Sequence, residues 1–351
     1  MKDFENLQRF EATFLDDETN PPASEALIHF LGVACDLTAS YHKGAHRGPK
    51  AILEASWQVE YEVPVLGSSL SAILPIHHLG ILDYSRLPPK TSIKKAMERM
   101  VRQVKELSLP ALKQKRFFML TGGDHSVPNG VFQALQECYS PKEITVIHFD
   151  AHLDLRKALG GFRYSHGSIM RRVREAGFPV IHIGIRDHLG EEEWKFLQKE
   201  NLWEHIFFCA TQPKAFYQAV SSRFPMERIF QGEITEPHLQ KILHQCNTPY
   251  VWISCDIDGL DPKDMPGTGT PLPHGLSLSS VENFLFHLIQ SLKRNNQKLL
   301  GIDLNEVSPQ MFCSPEEPYQ IEKVISTQTE QNAALLLYKV LFWNFLEKFT
   351  L

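Results

Sequence analysis

An apolar run that ends in charged residues stands near the middle of the chain: Ile144-Thr-Val-Ile-His-Phe-Asp-Ala-His-Leu-Asp-Leu155. Its first six residues lack the alternation of a half-exposed strand, so they predict a strand covered on both faces. Asp150, His152 and Asp154 follow at i, i+2 and i+4, and in extended backbone their side chains project to one side. Two carboxylates and an imidazole placed together are costly to desolvate unless a cation compensates their charge. This stretch therefore predicts a buried strand with metal ligands at its carboxyl end.

Similar apolar runs recur along the chain and alternate with helical patterns. The predicted strands are 28–34, 116–120, 144–149, 180–185, 205–209, 250–255 and 299–304. The predicted helices are 49–57, 92–107, 129–138, 168–174, 192–198, 279–292 and 328–346. Strand alternating with helix is typical of a mainly parallel sheet between two helical layers. We therefore expect an α/β fold, a single three-layer α-β-α domain over residues 25–351, preceded by a polar N-terminal extension over residues 1–24.

The composition and charge disfavour two classes of partner. Among 351 residues, 36 Lys and Arg stand against 41 Asp and Glu, and there is no basic block that would follow a phosphate backbone. The first twenty residues are polar and acidic, whereas a secretory signal has a positive start and then an apolar run. The most apolar stretch, 333–346, is interrupted by Lys339 and Asn344 and is shorter than the ~18 residues of a membrane span. We therefore expect a cytoplasmic protein that binds neither nucleic acid nor membrane.

Two further predicted strands end in side chains of the ligand type. After strand 116–120 comes Thr-Gly-Gly-Asp-His-Ser-Val-Pro-Asn, in which two glycines allow a tight turn that holds His125. After strand 250–255, Asp256 and Asp258 repeat the i, i+2 spacing. The whole set is two imidazoles and four carboxylates, which is too much negative charge for one divalent ion. It suits two ions about 3.5 to 4 Å apart that share carboxylates. An oxygen-rich set without thiols favours Mn²⁺, and Zn²⁺, Co²⁺ and Ni²⁺ stay open.

Three sequence blocks carry a family resemblance. Gly-Gly-Asp-His-Ser, Asp-Ala-His-x-Asp and Ser-x-Asp-x-Asp-x-x-Asp-Pro, in this order, resemble the signature blocks of the ureohydrolase family of arginases, agmatinases and formimidoylglutamases. The resemblance covers most of the chain, from the loop and helix at 41–52 to Asp-Leu-Asn-Glu-Val-Ser-Pro at 303–309. It implies an arginase-like fold, a small-molecule guanidino or formimino substrate and a homo-oligomer, either a trimer or a hexamer.

The resemblance also implies roles for individual residues. Asp150 and Asp256 would bridge two Mn²⁺ per chain. The remaining ligands would be His125 and Asp154 on one ion, and His152 and Asp258 on the other. Glu306 matches the carboxylate that pairs with the guanidinium group. His166, in Tyr-Ser-His-Gly-Ser at 164–168, matches the histidine that moves protons beside the metals.

The loop 155–165 bears on the choice of substrate. It lacks the Asn/Thr/Ser pattern with which arginases read the α-amino and α-carboxylate groups of arginine. Tyr-Ser-His-Gly and Gly-Thr-Gly-Thr-Pro resemble agmatinases, and Asp-Leu-Arg after the second block resembles formimidoylglutamases. Arg156, Lys157 and Arg163 suit a carboxylated substrate if they face the site, and agmatine if they point to solvent or to a subunit interface.

We therefore expect an agmatinase-like hydrolase that converts agmatine to putrescine and urea. A formimidoylglutamase, or a guanidinobutyrase-like hydrolase of a carboxylated guanidine, is the alternative. A catalytically inactive regulatory member is the alternative of another class, although such a protein would be expected to have lost ligands.

Overall fold

A ten-stranded sheet forms the centre of the described part of the chain. The computed structural model describes residues 4–16, 18–59, 74–213, 215, 217, 226–313, 321–326 and 328–345, and only the backbone at 310–313 and 321–326. The strands are β1 Leu7–Gln8, β2 Ile28–Ala34, β3 Ile76–Asp83, β4 Phe117–Thr121, β5 Ile144–Phe149, β6 Val180–Ile185, β7 Ile206–Cys209, β8 Ile229–Phe230, β9 Tyr250–Asp256 and β10 Lys298–Asn305. Their spatial order is β1-β3-β2-β4-β10-β9-β5-β6-β7-β8, and every pair is parallel except β1 with β3. A separate antiparallel pair consists of β11 Gln310–Cys313 and β12 Ile321–Ser326.

Helices cover both faces of the sheet. They are α1 Gly48–Ser56, α2 Ile93–Lys113, α3 Asn129–Cys138, α4 Ile169–Glu175, α5 Glu191–Glu200, α6 Glu236–Gln245, α7 Leu278–Arg294 and α8 Gln328–Phe345. One apolar core packs α1, α6, α7 and α8 on one face, and a second packs α2 to α5 on the other. This arrangement confirms the three-layer α/β fold. None of the described helices is both long enough and apolar enough to cross a bilayer.

The predicted strands and helices are all present, with ends that differ by a few residues. Helix α2 runs six residues beyond its predicted end and contains Pro110. Leu346, the predicted last residue of the final helix, lies outside the described residues. The sequence analysis missed β1, β3, β8, β11, β12 and α6. Strand β3 was missed because His77, His78 and Gly80 interrupt its apolar pattern. In the N-terminal segment, β1 pairs with β3, and Phe14 is buried in the core.

The strand order brings the charged strand ends together. Strands β4 and β5 follow each other in the chain, but β10 and β9 lie between them in the sheet. A crevice forms at the carboxyl ends of parallel strands where the order of the strands switches in this way. Side chains that follow β4, β5, β9 and β10 therefore meet at one edge of the sheet.

A buried histidine lies on β3, toward one edge of the sheet. The imidazole of His78 lies 5.2 Å from the ring of Phe10 and 4.7 Å from that of Phe30, centroid to centroid. Its Nδ1 atom is 3.3 Å from the carbonyl oxygen of Ala12. Burial lowers the pKa of His78 to about 4. Because an unfolded histidine has a pKa of about 6.5, the unfolded chain takes up a proton here that the folded chain excludes.

We predict that His78 makes folding stability depend on pH below neutrality. Between pH 6.5 and 4 the unfolded state binds more protons at this residue, so its contribution to stability falls as the pH falls. His78→Phe keeps an aromatic ring between Phe10 and Phe30 but removes the titrating group. Urea unfolding at pH 7 and at pH 4.5 should therefore show a smaller loss of stability in this variant than in the wild type. His244→Phe, at an exposed position of α6, is the control and should lose as much stability as the wild type. An unchanged loss in His78→Phe would contradict the prediction.

Candidate metal centre

A tight turn after β4 holds His125 in place. Gly123 packs so closely on the loop after β2 that a Cβ atom there would overlap a backbone carbonyl group. The carboxylate of Asp124 accepts hydrogen bonds from the Thr38 backbone N–H and hydroxyl, at 2.9 and 2.8 Å. The carboxylate of Glu306 accepts one from the backbone N–H of His125 at 2.9 Å. Contacts from the loop after β2 and from the end of β10 thus fix the turn.

The imidazole of His125 faces three carboxylates. Its Nδ1 atom lies 3.2 Å from an oxygen of Asp150, 3.2 Å from one of Asp154 and 3.5 Å from one of Asp256. All four residues are buried. The expectation of extended backbone through Asp154 is wrong: β5 ends at Phe149, and Asp154 adopts a left-handed backbone conformation, with φ at 54°. The ends of β4, β5 and β9 therefore supply one compact group of donor atoms.

A second group forms around His152. Its Nδ1 atom lies 3.1 Å from Oδ2 of Asp258 and 3.3 Å from Oδ1 of Asp150. Asp150 therefore faces His125 with one oxygen and His152 with the other. The carboxylate of Asp258 accepts hydrogen bonds from the Thr270 hydroxyl at 2.8 Å and from the Ala151 N–H at 3.0 Å. These contacts aim Asp258 at the second group.

The charges in the two groups fit divalent cations. Burial, followed by the charge of Asp150, raises the pKa of Asp154 to about 7. Burial and the charges of Asp258 and Asp150 raise the pKa of Asp256 well above its usual range. Such carboxylates are all ionised only where positive charge lies among them. Two sets of donor atoms lie close enough to hold an ion: His125, His148, Asp150 and Asp154, and then Asp150, His152 and Asp258. All of these residues except His148 were predicted as ligands from the sequence. His148 was not among the predicted ligands.

His166 and Glu306 line the same cavity as the candidate ligands. This cavity of about 240 Å³ is open to solvent at one side and also contains His152, Asp154, Asp256 and Asp258. The Nε2 atom of His166 lies 3.2 Å from the Ser40 hydroxyl, and its backbone N–H donates to the Thr38 hydroxyl at 3.2 Å. The structure therefore brings all the predicted site residues to one place.

The three basic residues of the loop 155–165 differ in position. Arg156 lines the cavity, and its Nε atom lies 3.7 Å from a carboxylate oxygen of Glu193. Arg163 is 67% exposed and is 3.7 Å from Glu175. Lys157 is exposed and does not line the cavity. Of these three cations, only Arg156 reaches the cavity, and a carboxylate stands beside it.

Several residues of the site were missed in the sequence. Beneath His125, a chain of hydrogen bonds runs from Nε2 to the Ser254 hydroxyl at 3.0 Å and on to Asp303 at 2.8 Å. Asp303 also accepts a hydrogen bond from the indole of Trp252 at 2.5 Å. The sequence did contain a signal for Asp303, which is a single carboxylate within the apolar strand β10. A buried polar group in such a strand needs hydrogen-bond partners, so partners such as Ser254 could have been expected.

Two acidic residues on the far wall of the cavity were also missed. Asp187 follows β6, and its carboxylate lies 3.5 Å from Nε2 of His152. Glu193 is the third residue of α5 and is buried. Asp187 could have been identified from its position in the sequence, because it follows the carboxyl end of β6, which is parallel to β5. Both follow β6, which β9 and β5 separate from β10 and its Glu306 in the sheet, and the part of the lining that they form is called the far wall.

Arg186 is a further residue that the sequence analysis did not identify. Its guanidinium group donates hydrogen bonds only to backbone carbonyl oxygens among its described contacts, at 2.5 to 3.3 Å. The acceptors belong to Gly184, Asp258, Gly259, Leu260, Leu272 and Pro273. One side chain thus joins the end of β6 to the turn that carries Asp258 and to the loop that follows Thr270.

Comparison with known proteins agrees with this geometry. The chain matches the model of the Arginase family over residues 26–342. It is 32% identical over 302 residues to an N(1)-aminopropylagmatine ureohydrolase of Synechocystis sp., covering 84% of this chain and 86% of that protein. It is 30% identical over 311 residues to an agmatinase of Bacillus subtilis, covering 88% of this chain and 92% of that protein.

A solved structure shares the fold. The agmatine ureohydrolase of Thermoplasma volcanium superposes with a TM-score of 0.67 at 23% identity, and the match covers 92% of each chain. The family match spans the turn of His125, the end of β5 and the end of β9. The chain therefore belongs to the Arginase family and is a metal-dependent amidinohydrolase.

Proposed function

We propose that the chain hydrolyses agmatine to putrescine and urea with two Mn²⁺ per chain. The main support is the arrangement of Asp150, whose two oxygens face two separate groups of donor atoms beside one cavity. His125 and Asp154 would hold one ion, His152 and Asp258 the other, and Asp150 and Asp256 both. A homo-oligomer, trimer or hexamer, remains a prediction that light scattering would test.

The reaction needs a strong nucleophile and an oriented substrate. A guanidinium carbon is a poor electrophile because its positive charge is delocalised. When bound, two divalent cations lower the pKa of water and so supply a nucleophile at neutral pH. The chain's own task is to present the guanidinium group to that nucleophile and to exclude other orientations.

Glu306 and His166 are suited to these tasks. A carboxylate can accept two parallel N–H bonds from a guanidinium group, so Glu306 would hold the planar head of the substrate. His166 would give a proton to the departing amine nitrogen, because an amine leaves readily only when it is protonated. The imidazole of His166 contacts the Ser40 hydroxyl through Nε2 at 3.2 Å and the Thr38 hydroxyl through Nδ1 at 3.4 Å.

The charges along the cavity favour a cationic substrate tail. Glu193 and Asp187 both line its far wall, and Arg156 is the one cation of the loop 155–165 that lies there. Glu193 stands 3.7 Å from Arg156 and offsets its charge. An amine at the end of the substrate is therefore better matched there than a carboxylate.

N(1)-Aminopropylagmatine is a second candidate substrate. Three relatives that are 30 to 32% identical to this chain bear the name N(1)-aminopropylagmatine ureohydrolase. A longer tail with an additional amine could use both Asp187 and Glu193, whereas the shorter tail of agmatine needs one carboxylate.

We predict that Asp256→Asn loses metal and activity but keeps the fold. An amide has no charge to offset two cations, so the purified variant should hold fewer than two Mn²⁺ and lose about 100-fold or more of its turnover. Elemental analysis after gel filtration measures the metal. Asp261→Asn is the control, because Asp261 does not line the cavity and caps a turn through the Lys263 N–H. Two tightly held ions and normal turnover in Asp256→Asn would exclude a bridging role.

We predict that Glu306→Gln lowers kcat/KM. The fall should correspond to a loss of about 2 to 4 kcal/mol of transition-state stabilisation. The amide oxygen can still accept the His125 N–H, so the turn should be kept while the charge is lost. Steady-state kinetics with agmatine measure the effect. Glu192→Gln, at an exposed position outside the cavity, should match the wild type. Wild-type kcat/KM in Glu306→Gln would mean that this carboxylate does not hold the guanidinium group.

We predict that the sign of the charge at the far wall sets the substrate preference. If the tail is an amine, Glu193→Gln should raise KM about tenfold, and Arg156→Ala should leave kcat/KM unchanged or raise it. Arg163→Ala is the matched control and should change neither, because Arg163 points to solvent.

The substrates for this test are agmatine, N(1)-aminopropylagmatine, arginine, guanidinobutyrate and formiminoglutamate. Urea or formamide release would be measured for each. Turnover of a carboxylated compound alone, abolished by Arg156→Ala, would establish the alternative of a guanidinobutyrase-like or formimidoylglutamase activity. Inactivity on every compound by a chain that holds two ions would favour the inactive regulatory member.

A further inference from the structure

Two buried histidines form a continuous hydrogen-bonded chain to Asp150. His148 lies on β5, two residues before Asp150 and on the same side of the strand, and His182 is its partner on β6. The Nε2 atom of His148 lies 2.9 Å from Oδ2 of Asp150. Its Nδ1 atom lies 2.8 Å from Nδ1 of His182. Both rings are buried, and neither lines the cavity.

The geometry defines where the protons sit when both rings are neutral. An ionised Asp150 can only accept, so Nε2 of His148 carries a proton and donates it. Nδ1 of His148 is then a bare acceptor, and Nδ1 of His182 must be the donor. The remaining nitrogen of His182, Nε2, then carries no proton; it is buried and has no hydrogen-bond partner among the described residues. Each ring thus sets the tautomer of the next.

We propose that His148 is a positioning residue for Asp150 and that His182 fixes the tautomer in which it works. Oδ2 of Asp150 accepts from His148, and Oδ1 accepts from the His152 N–H at 2.6 Å. The carboxylate is therefore held at both oxygens, so its plane cannot rotate away from either donor group. This inference rests on the proposed function only in that Asp150 is taken to bridge two cations.

The alternative is that His148 is itself a ligand. Its Nε2 lies within 4.8 Å of the donor atoms of His125, Asp150 and Asp154. The rings of His125 and His148, however, stack with centroids 5.3 Å apart and planes 30° apart. Nε2 of His148 also lies at hydrogen-bond distance, 2.9 Å, from Oδ2 of Asp150. A ring nitrogen that carries the proton of that hydrogen bond has no lone pair for an ion, which favours a hydrogen bond over ligation by His148.

Two substitutions at position 148 separate the two roles. In His148→Gln, the side-chain amide nitrogen lies near the former Nε2 and can still donate to Asp150, but an amide is a poor ligand. His148→Leu fills the space and removes the donor. A positioning role predicts that His148→Gln holds two Mn²⁺ with nearly wild-type affinity, while His148→Leu binds Mn²⁺ about 10- to 100-fold more weakly. Equilibrium dialysis with Mn²⁺ alone measures both quantities.

Position 182 gives a second, independent pair. His182→Asn places an amide N–H near the former Nδ1 and should retain the wild-type affinity for Mn²⁺, whereas His182→Leu should weaken it in the same direction as His148→Leu. This pair decides the matter if His148→Leu does not fold, because it leaves His148 itself in place.

The outcomes are distinct. Loss of one ion in His148→Gln would show direct ligation and overturn the proposal. Wild-type Mn²⁺ affinity in both leucine variants would overturn it as well. A wild-type chain that holds two ions but hydrolyses no guanidino compound would refute the proposed function alone and leave the comparison of variants valid. A wild-type chain that holds fewer than two ions would overturn both.

Discussion

Repulsion among buried carboxylates is the constraint around which this sheet edge is built. Asp150, Asp154, Asp256, Asp258 and Glu306 are nearly inaccessible to solvent and share one crevice. Each has at least one nitrogen or hydroxyl partner, from the backbone or from a side chain. These contacts orient the oxygens but do not cancel the charge. The remaining excess is what two divalent cations would neutralise.

The fold could be predicted from the sequence where one pattern dominated a whole element. The strands that carry the candidate ligands are apolar runs with a polar end, so their type, and their boundaries to within one residue, could be inferred. Strand β3 could not, because the side chains of its two histidines form hydrogen bonds with the N-terminal segment, His77 with the Pro21 carbonyl and His78 with the Ala12 carbonyl. A pattern local to β3 contains no information about a contact 66 residues away in the chain.

The candidate site could also be predicted where a local sequence pattern was sufficient, and not where it depends on contacts between distant parts of the chain. The polar end of each apolar strand located the candidate ligands, but the expected extended backbone was wrong, because β5 ends at Phe149 and Asp258 lies in a 3-10 turn over Ile257–Gly259. Asp256 faces His125 and Asp258 faces His152, so the turns after the strands, and not i, i+2 spacing, distribute these side chains. The contact between His148 and His182 depends on the register of β5 against β6, which the sequence alone leaves open. The different surroundings of Arg156 and Arg163 depend on a turn at Gly160 and Gly161, both at positive φ, which reverses the chain between them.

The contacts of Arg186 affect which residues near the site can be substituted. Its contacts are to main-chain oxygens, and every residue type offers such an oxygen. Side chains at 260, 272 and 273 can therefore change without removing an acceptor, provided that the path of the backbone is kept. Arg186 thus stabilises the backbone path of the loop beside Asp258 without depending on which side chains the loop carries. Residues of this loop can therefore change while the backbone at Asp258, a candidate ligand, keeps its position.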